Sequence, residues 1–78
     1  MILDREELIQ ELIEIVKKLT RSSEVNSDSS TENLTQWDSL AYMAIISELE
    51  ITYGVNVTQE NIDKFDSIEN IADLIVNK

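Results

Sequence analysis

The sequence predicts an all-α fold: a small four-helix bundle, with three longer helices, one short helix and a long loop between the first two. Three observations carry this. Apolar residues recur at helical spacing over two long stretches, with a third at the C-terminal end. One Gly and no Pro occur in 78 residues, and hairpin turns usually need Gly or Asn at positive φ. A polar tract over about 21–37 separates the two long stretches. A chain of this length forms one core and leaves no room for a second, so residues 1–78 are read as a single domain without repeats or linkers. Such a domain, without disulfide or metal staples, has a net stability of about 5 kcal/mol.

The first helix is expected over about 4–20. Asp4 and Glu7 have capping-box spacing, Glu6 and Glu7 suit the positive end of the helix dipole, and Lys17, Lys18 and Arg21 suit the negative end. Leu8, Ile9, Leu12, Ile13, Ile15, Val16 and Leu19 make its apolar stripe. The loop over about 21–37 offers only Val25 and Leu34 as large apolar anchors before Trp37, an aromatic at a helix entrance that is expected to staple the loop to the core, with a binding hot spot as the alternative. The loop exceeds most connections in compact domains and so invites a functional reading. Asn26, Asp28, Ser30 and Glu32 alternate like the start of a calcium loop, but Thr31 stands where Gly is needed and Trp37 where Glu is needed. The loop is therefore read as solvated, and no metal site is expected. Asn33-Leu34-Thr35 and Asn56-Val57-Thr58 match the glycosylation acceptor pattern and are read as chance.

The second helix is expected over about 38–53, capped by Asp38 and stopped by Gly54, with Leu40, Met43, Ile46 and Tyr53, joined by Ile45 and Leu49, as its apolar face. Thr58 is placed to cap a short helix over about 58–64, with Ile62 and Phe65 turned inward. Ser67 or Asp66 then caps a last helix over about 67–76, with Ile68, Ile71, Ala72, Leu74 and Ile75 on its core side.

Sixteen acids oppose six bases, a net charge of −10, and eleven of the acids lie after residue 21 with only Lys64 and Lys78 against them. Phosphates and anionic lipid would be repelled, so neither nucleic acid nor a membrane is an expected partner. No stretch approaches the length of a membrane span, and Met1-Ile2-Leu3-Asp4 turns charged at once. A cytoplasmic monomer is the expectation. Two readings of the acidity stand side by side, solubility of a small protein and steering toward partners with basic patches, and the sequence does not separate them. The absence of Cys and His removes disulfides, thiolate nucleophiles and the commonest general base. A carboxylate-pair enzyme would need a cleft, and the sequence nominates no such pair, so no enzyme is expected.

One constellation remains, Asp38-Ser39-Leu40 opening a helix after a long polar loop. Alone it says little, since Asp and Ser are ordinary capping residues. Trp37-Asp38-Ser39-Leu40, however, is followed by Leu49-Glu50, Tyr53-Gly54-Val55, Ile62, Phe65-Asp66-Ser67-Ile68 and Ile71. In that order and spacing, over nearly the whole chain, the sequence resembles the acyl carrier proteins. The resemblance implies a 4′-phosphopantetheine joined to Ser39 through a phosphodiester, its thiol holding an acyl or related group as a thioester. The cofactor would bring the sulfur that the chain lacks. A phosphodiester there would sit at the positive end of the helix dipole. Asp38 would cap the helix and help a phosphopantetheinyl transferase engage, and Leu40 would anchor the helix start and so aim Ser39 outward. Partners would be that transferase and the enzymes that load or use the acyl group.

The sequence departs from the fatty-acid carriers of that family, whose second helix usually shows several exposed acids. Here Ala41, Tyr42, Met43, Ala44, Ile45, Ile46 and Ser47 follow Leu40, and Glu48 and Glu50 are the first acids. Tyr42, Met43 and Ile51 are candidates for an exposed apolar patch that meets a partner, alongside Glu48 and Glu50. A carrier dedicated to one pathway fits this better than general fatty-acid synthesis. An aminoacyl carrier of the same fold is an alternative, although the Gly-Gly that many peptidyl carriers show before the serine is replaced by Thr35-Gln36-Trp37-Asp38. The alternative from another class is an acidic helical adaptor without cofactor. Preference for cargo length would depend on how far the helices part, which composition does not reveal.

Overall fold

Residues 4–76 are described by the computed structural model; Met1 to Leu3 and Lys78, used above for the leader and charge readings, lie outside them. Asp4 opens the first helix, its carboxylate accepting from the Glu7 N–H at 2.9 Å, and α1 runs Arg5–Thr20. It buries Leu8, Leu12, Ile13, Val16 and Thr20 and ends at Arg21, which takes the left-handed conformation (φ 60°) that a helix stop requires. Helix α2 runs Ser39–Tyr53. Asp38 caps it, accepting from the Ala41 N–H at 3.0 Å, and Gly54 (φ 65°) closes it by donating to the Glu50 carbonyl at 3.1 Å. Helix α3 runs Ile68–Val76, with the Ser67 hydroxyl accepting from the Asn70 N–H at 3.0 Å. Packing is organised around α1, which lies against both α2 and α3. At one end Arg5 reaches across to Glu69 (2.7 Å) and Asp73 (2.6 Å) on α3.

The expected short helix over 58–64 is smaller in the structure. Thr58 and Asn61 exchange local hydrogen bonds, and only Ile62–Lys64 forms a single 3₁₀ turn. These reciprocal bonds are a cap of the kind expected at Thr58, and Ile62 N–H bonds the Thr58 carbonyl at 2.9 Å, but a segment this short cannot repay the cost of nucleating an α-helix. Phe65 is buried as expected, whereas Ile62 is half-buried.

The long connection is ordered by its own polar groups and by the core. Val25, Leu34 and Trp37 are buried. Asn26 and Asn33 accept from the Asp28 and Ser30 N–H groups, and Asn33 also donates to the Asp28 carbonyl. Of the residues that alternate like a calcium loop, Asn26 and Ser30 are thus used as turn caps, Ser30 accepting from the Glu32 N–H. Ser30 and Ser67 form an isolated antiparallel bridge, with Ile68 N–H to Ser29 O (3.1 Å) and Thr31 N–H to Asp66 O (2.9 Å); the described residues form no strand. These bonds hold the loop against the N-terminus of α3.

Helix α2 corrects the sequence reading of its faces. Its buried residues are Ala41, Ile45, Ile46 and Leu49, while Leu40 is 83% exposed and Met43 55% exposed. Leu40 is therefore not an anchor. At 3.6 residues per turn it lies about 180° around the helix from Leu49, which is fully buried. The helix start is anchored instead by Trp37, 2% exposed, which continues the four-residue spacing of Ala41, Ile45 and Leu49 back into the loop.

Candidate functional site

Ser39 is the first residue of α2, and its side chain is exposed. Its position follows from two neighbours. Asp38 satisfies the Ala41 N–H through its carboxylate and the Tyr42 N–H through its carbonyl, at 3.0 and 2.8 Å. Trp37 seats the chain in the core just before the helix begins. The N–H groups of Ser39 and Leu40, at the head of the first turn, have no carbonyl of their own helix to bond. They give this end of α2 its partial positive charge, offset in part by the nearby Asp38 carboxylate.

Beside Ser39 lies a surface groove of about 430 Å³, lined by Thr31, Trp37, Asp38, Ser39, Tyr42 and Met43. That volume falls in the range of small-molecule sites, about 300–1,000 Å³. Thr31 reaches it because its backbone is tied to Asp66. Tyr42 forms another wall, half-buried, its hydroxyl donating to the Ile62 carbonyl. Burial raises the Tyr42 phenol above its ordinary value, with the charges of Asp66 and Asp63 adding to the effect and a backbone hydrogen bond at Phe65 opposing it. The phenol therefore stays protonated and able to donate at neutral pH. The Trp37 Nε1 is buried and finds no hydrogen-bond partner among the described residues. A larger groove of about 580 Å³, lined by residues including Val55, Lys64, Phe65 and Asp73, shares no lining residue with this one.

The candidate residues divide into two groups along α2. Asp38, Ser39, Tyr42 and Met43 gather at the groove, with Leu40 exposed next to it. Glu48, Glu50 and Ile51 lie in the C-terminal half of the helix. Ile51 is 82% exposed and Glu50 is exposed, while Glu48 is half-buried and accepts from the Thr52 hydroxyl at 3.1 Å. Tyr42, expected on a partner-facing patch, turns instead toward the 3₁₀ turn. Sequence reasoning missed Thr31 and the groove itself. The spacing of Trp37 to Ala41, Ile45 and Leu49 carried a signal for the tryptophan; Thr31 carried none. Among the described residues no group of three or more acidic side chains is placed to hold a metal ion, and no helix is long and apolar enough to cross a membrane.

A phosphopantetheine fits the residues present. An exposed hydroxyl stands at the positive end of a helix, and an open groove that no side chain fills begins at that hydroxyl. The comparisons with known proteins agree. Residues 10–75 match the family model described as the phosphopantetheine attachment site. Over 76 residues the chain is 32% identical to an acyl carrier protein of Rubrobacter xylanophilus, covering 95% of this chain and 94% of that relative. No solved structure matches. Motif, site and full-length similarity coincide, and the chain belongs to the acyl carrier protein family, carriers rather than enzymes, which hold a covalently attached 4′-phosphopantetheine.

Proposed function

We propose that Ser39 bears the 4′-phosphopantetheine, and that the protein carries acyl or related groups as thioesters for a dedicated biosynthetic pathway. The observation that supports this best is the exposed Ser39 hydroxyl at the first position of α2, opening onto the groove between Trp37 and Tyr42. In the loading reaction the Ser39 oxygen forms a bond to phosphorus and the pyrophosphate bond of coenzyme A breaks. Adenosine bisphosphate leaves, and the serine proton passes to a base on the transferase. The bound group supplies the thiol on which cargo is held. The chain's own part is to present the hydroxyl: Asp38 fixes the first turn, Trp37 and Ala41 seat it on the core, and the unpaired N–H groups of Ser39 and Leu40 face the phosphodiester's charge.

The dedicated pathway is supported by the outer face of α2. Leu40, Met43, Ala44 and Ser47 are exposed and uncharged. A partner meeting Ser39 would touch apolar surface first, with Asp38, Glu50 and the acids of the following segment at its rim for basic patches. The partners we propose are the phosphopantetheinyl transferase and the enzymes that load or use the acyl group.

The test is incubation of the apo-protein with coenzyme A and a broad-specificity transferase, then intact mass and peptide mapping. One phosphopantetheine on Ser39, lost in a folded Ser39→Ala variant, is the expected result. Attachment surviving in that variant would overturn the assignment. No attachment at all, with the transferase active on a control carrier, would favour the cofactor-free adaptor.

A further inference from the structure

The groove beside Ser39 meets the core of the bundle at two of its lining residues, the buried Trp37 and the half-buried Tyr42. Tyr42 lines the groove, and its ring packs against the same buried cluster that half-buried Ile62 covers, a cluster that includes Ile46 and Phe65. Its hydroxyl donates to the Ile62 carbonyl and so ties α2 to the 3₁₀ turn. Any parting of α2 from that turn, the movement that would open a way from the groove into the core, must break this bond and displace a half-buried aromatic ring. A tyrosine phenol is protonated at neutral pH, and here burial first, then the charges of Asp66 and Asp63, raise it further, so the tether keeps its donor.

We infer that Tyr42 sets the size limit on the carried group: the tether to Ile62 keeps the cargo in the surface groove, so that short groups are held there and long acyl chains gain no burial in the core. This rests on Ser39 as the attachment residue. It also supplies a physical reason why a carrier with this residue would serve one class of small cargo.

The experiment loads wild type, Tyr42→Phe and Tyr42→Thr from acetyl- and decanoyl-coenzyme A with the transferase. Peptide mapping first places the arm. Each thioester is then cleaved by hydroxylamine and the rate followed by intact mass, a readout that requires no partner enzyme. In wild type the two thioesters should be cleaved at similar rates. In Tyr42→Thr, which removes both ring and tether, decanoyl should be cleaved at least about tenfold more slowly than acetyl, the factor that goes with burying roughly two methylenes. Tyr42→Phe, which loses only the tether, should shift the same way by less, and it serves as the variant if Tyr42→Thr fails to fold. Strong protection of decanoyl in wild type overturns the inference, as does a folded variant that treats the two cargoes alike. An arm mapped to another residue overturns the Ser39 assignment and this inference together, whereas rates that go against expectation with the arm on Ser39 overturn this one alone.

Discussion

Replacing Leu40 and Leu49 in turn by Ala separates what a leucine on α2 does for the fold from what it does for recognition. Leu49 is fully buried, and truncating a buried leucine costs about 2–5 kcal/mol through lost transfer energy and the cavity left behind. Against a total near 5 kcal/mol for a domain of this size, Leu49→Ala should leave the protein largely unfolded or close to it. Leu40 is 83% exposed. About a sixth of a leucine's transfer energy, roughly 0.3–0.5 kcal/mol, is at stake in the folded monomer. The remainder becomes available only when a partner covers it. If the transferase does so on reaching Ser39, about 1–2 kcal/mol is lost from that complex in Leu40→Ala, or roughly 5- to 30-fold in kcat/KM. Urea unfolding followed by far-ultraviolet circular dichroism measures the first quantity, and the rate of phosphopantetheine attachment measures the second. The reasoning fails if Leu40→Ala loses more than about 1.5 kcal/mol of stability while attachment proceeds at the wild-type rate, because Leu40 would then be a core residue after all.

Three further outcomes follow from the same structure. Asp38→Ala should remove the cap on the Ala41 N–H and cost about 1 kcal/mol, lowering Tm by roughly 4–8 °C, while Asp38→Asn, which can still accept that bond, should retain most of it; equal losses in both would mean that charge rather than capping matters. The Tyr53 phenol, which donates to Glu11 at 2.6 Å, is held above its ordinary value, first by burial and then by the hydrogen bond and charge of Glu11. Its contribution to stability is present below the unfolded value of about 10 and is lost as pH rises toward the folded value, so the urea midpoint should fall through that window, and less steeply in Tyr53→Phe. Added salt should raise Tm by screening the net charge of −10, even though it weakens the exposed ties from Arg5 to Glu69 and Asp73; a flat or falling Tm would show that the acids lie too far apart to repel.

The helix ends were readable because their determinants are local. Asp4, Asp38, Gly54 and Ser67 each act within four residues of themselves, and each does in the structure what its type and position suggest. The inward face of α2 was not readable in the same way. From Leu40 to Ile46 every residue is apolar or aromatic, so hydrophobic spacing alone does not choose a face. Packing on α1 and the insertion of Trp37 make the choice, and both are tertiary. The short helix was overestimated in length only: Thr58 caps as its type suggests, in reciprocal bonds with Asn61, but the turn it starts stops at Lys64, too few residues to propagate an α-helix. The motif nominates Ser39, and the structure exposes it as the first residue of α2. The groove was not legible, because Thr31 comes from the loop and is placed by Asp66, thirty-five residues further along the chain.

The means of holding the bundle together differ between its two sides, and the difference bears on how a carrier works. Helix α1 is fastened to α2 and α3 by the fully or nearly fully buried Leu8, Leu12, Val16, Leu49, Ile68 and Ile71, which is apolar packing that opens only with the whole fold. The segment between α2 and α3 has Val55 and Phe65 buried, but Val57 and Ile62 only half-buried. Around the groove it is joined to its neighbours by polar ties, Tyr42 to Ile62 and Thr31 to Asp66. Such ties contribute about 1 kcal/mol each, and at Tyr42 the packing of the half-buried ring adds to the tie. The wall of the groove is thus closed by single polar ties, the one at Tyr42 backed by a half-buried ring, while the Ser39 hydroxyl is fixed beside it by the Asp38 cap and the buried Trp37. A fixed hydroxyl beside a wall closed by one tie is a physical basis for a carrier whose cargo, if Ser39 bears the arm, is limited by a single side chain.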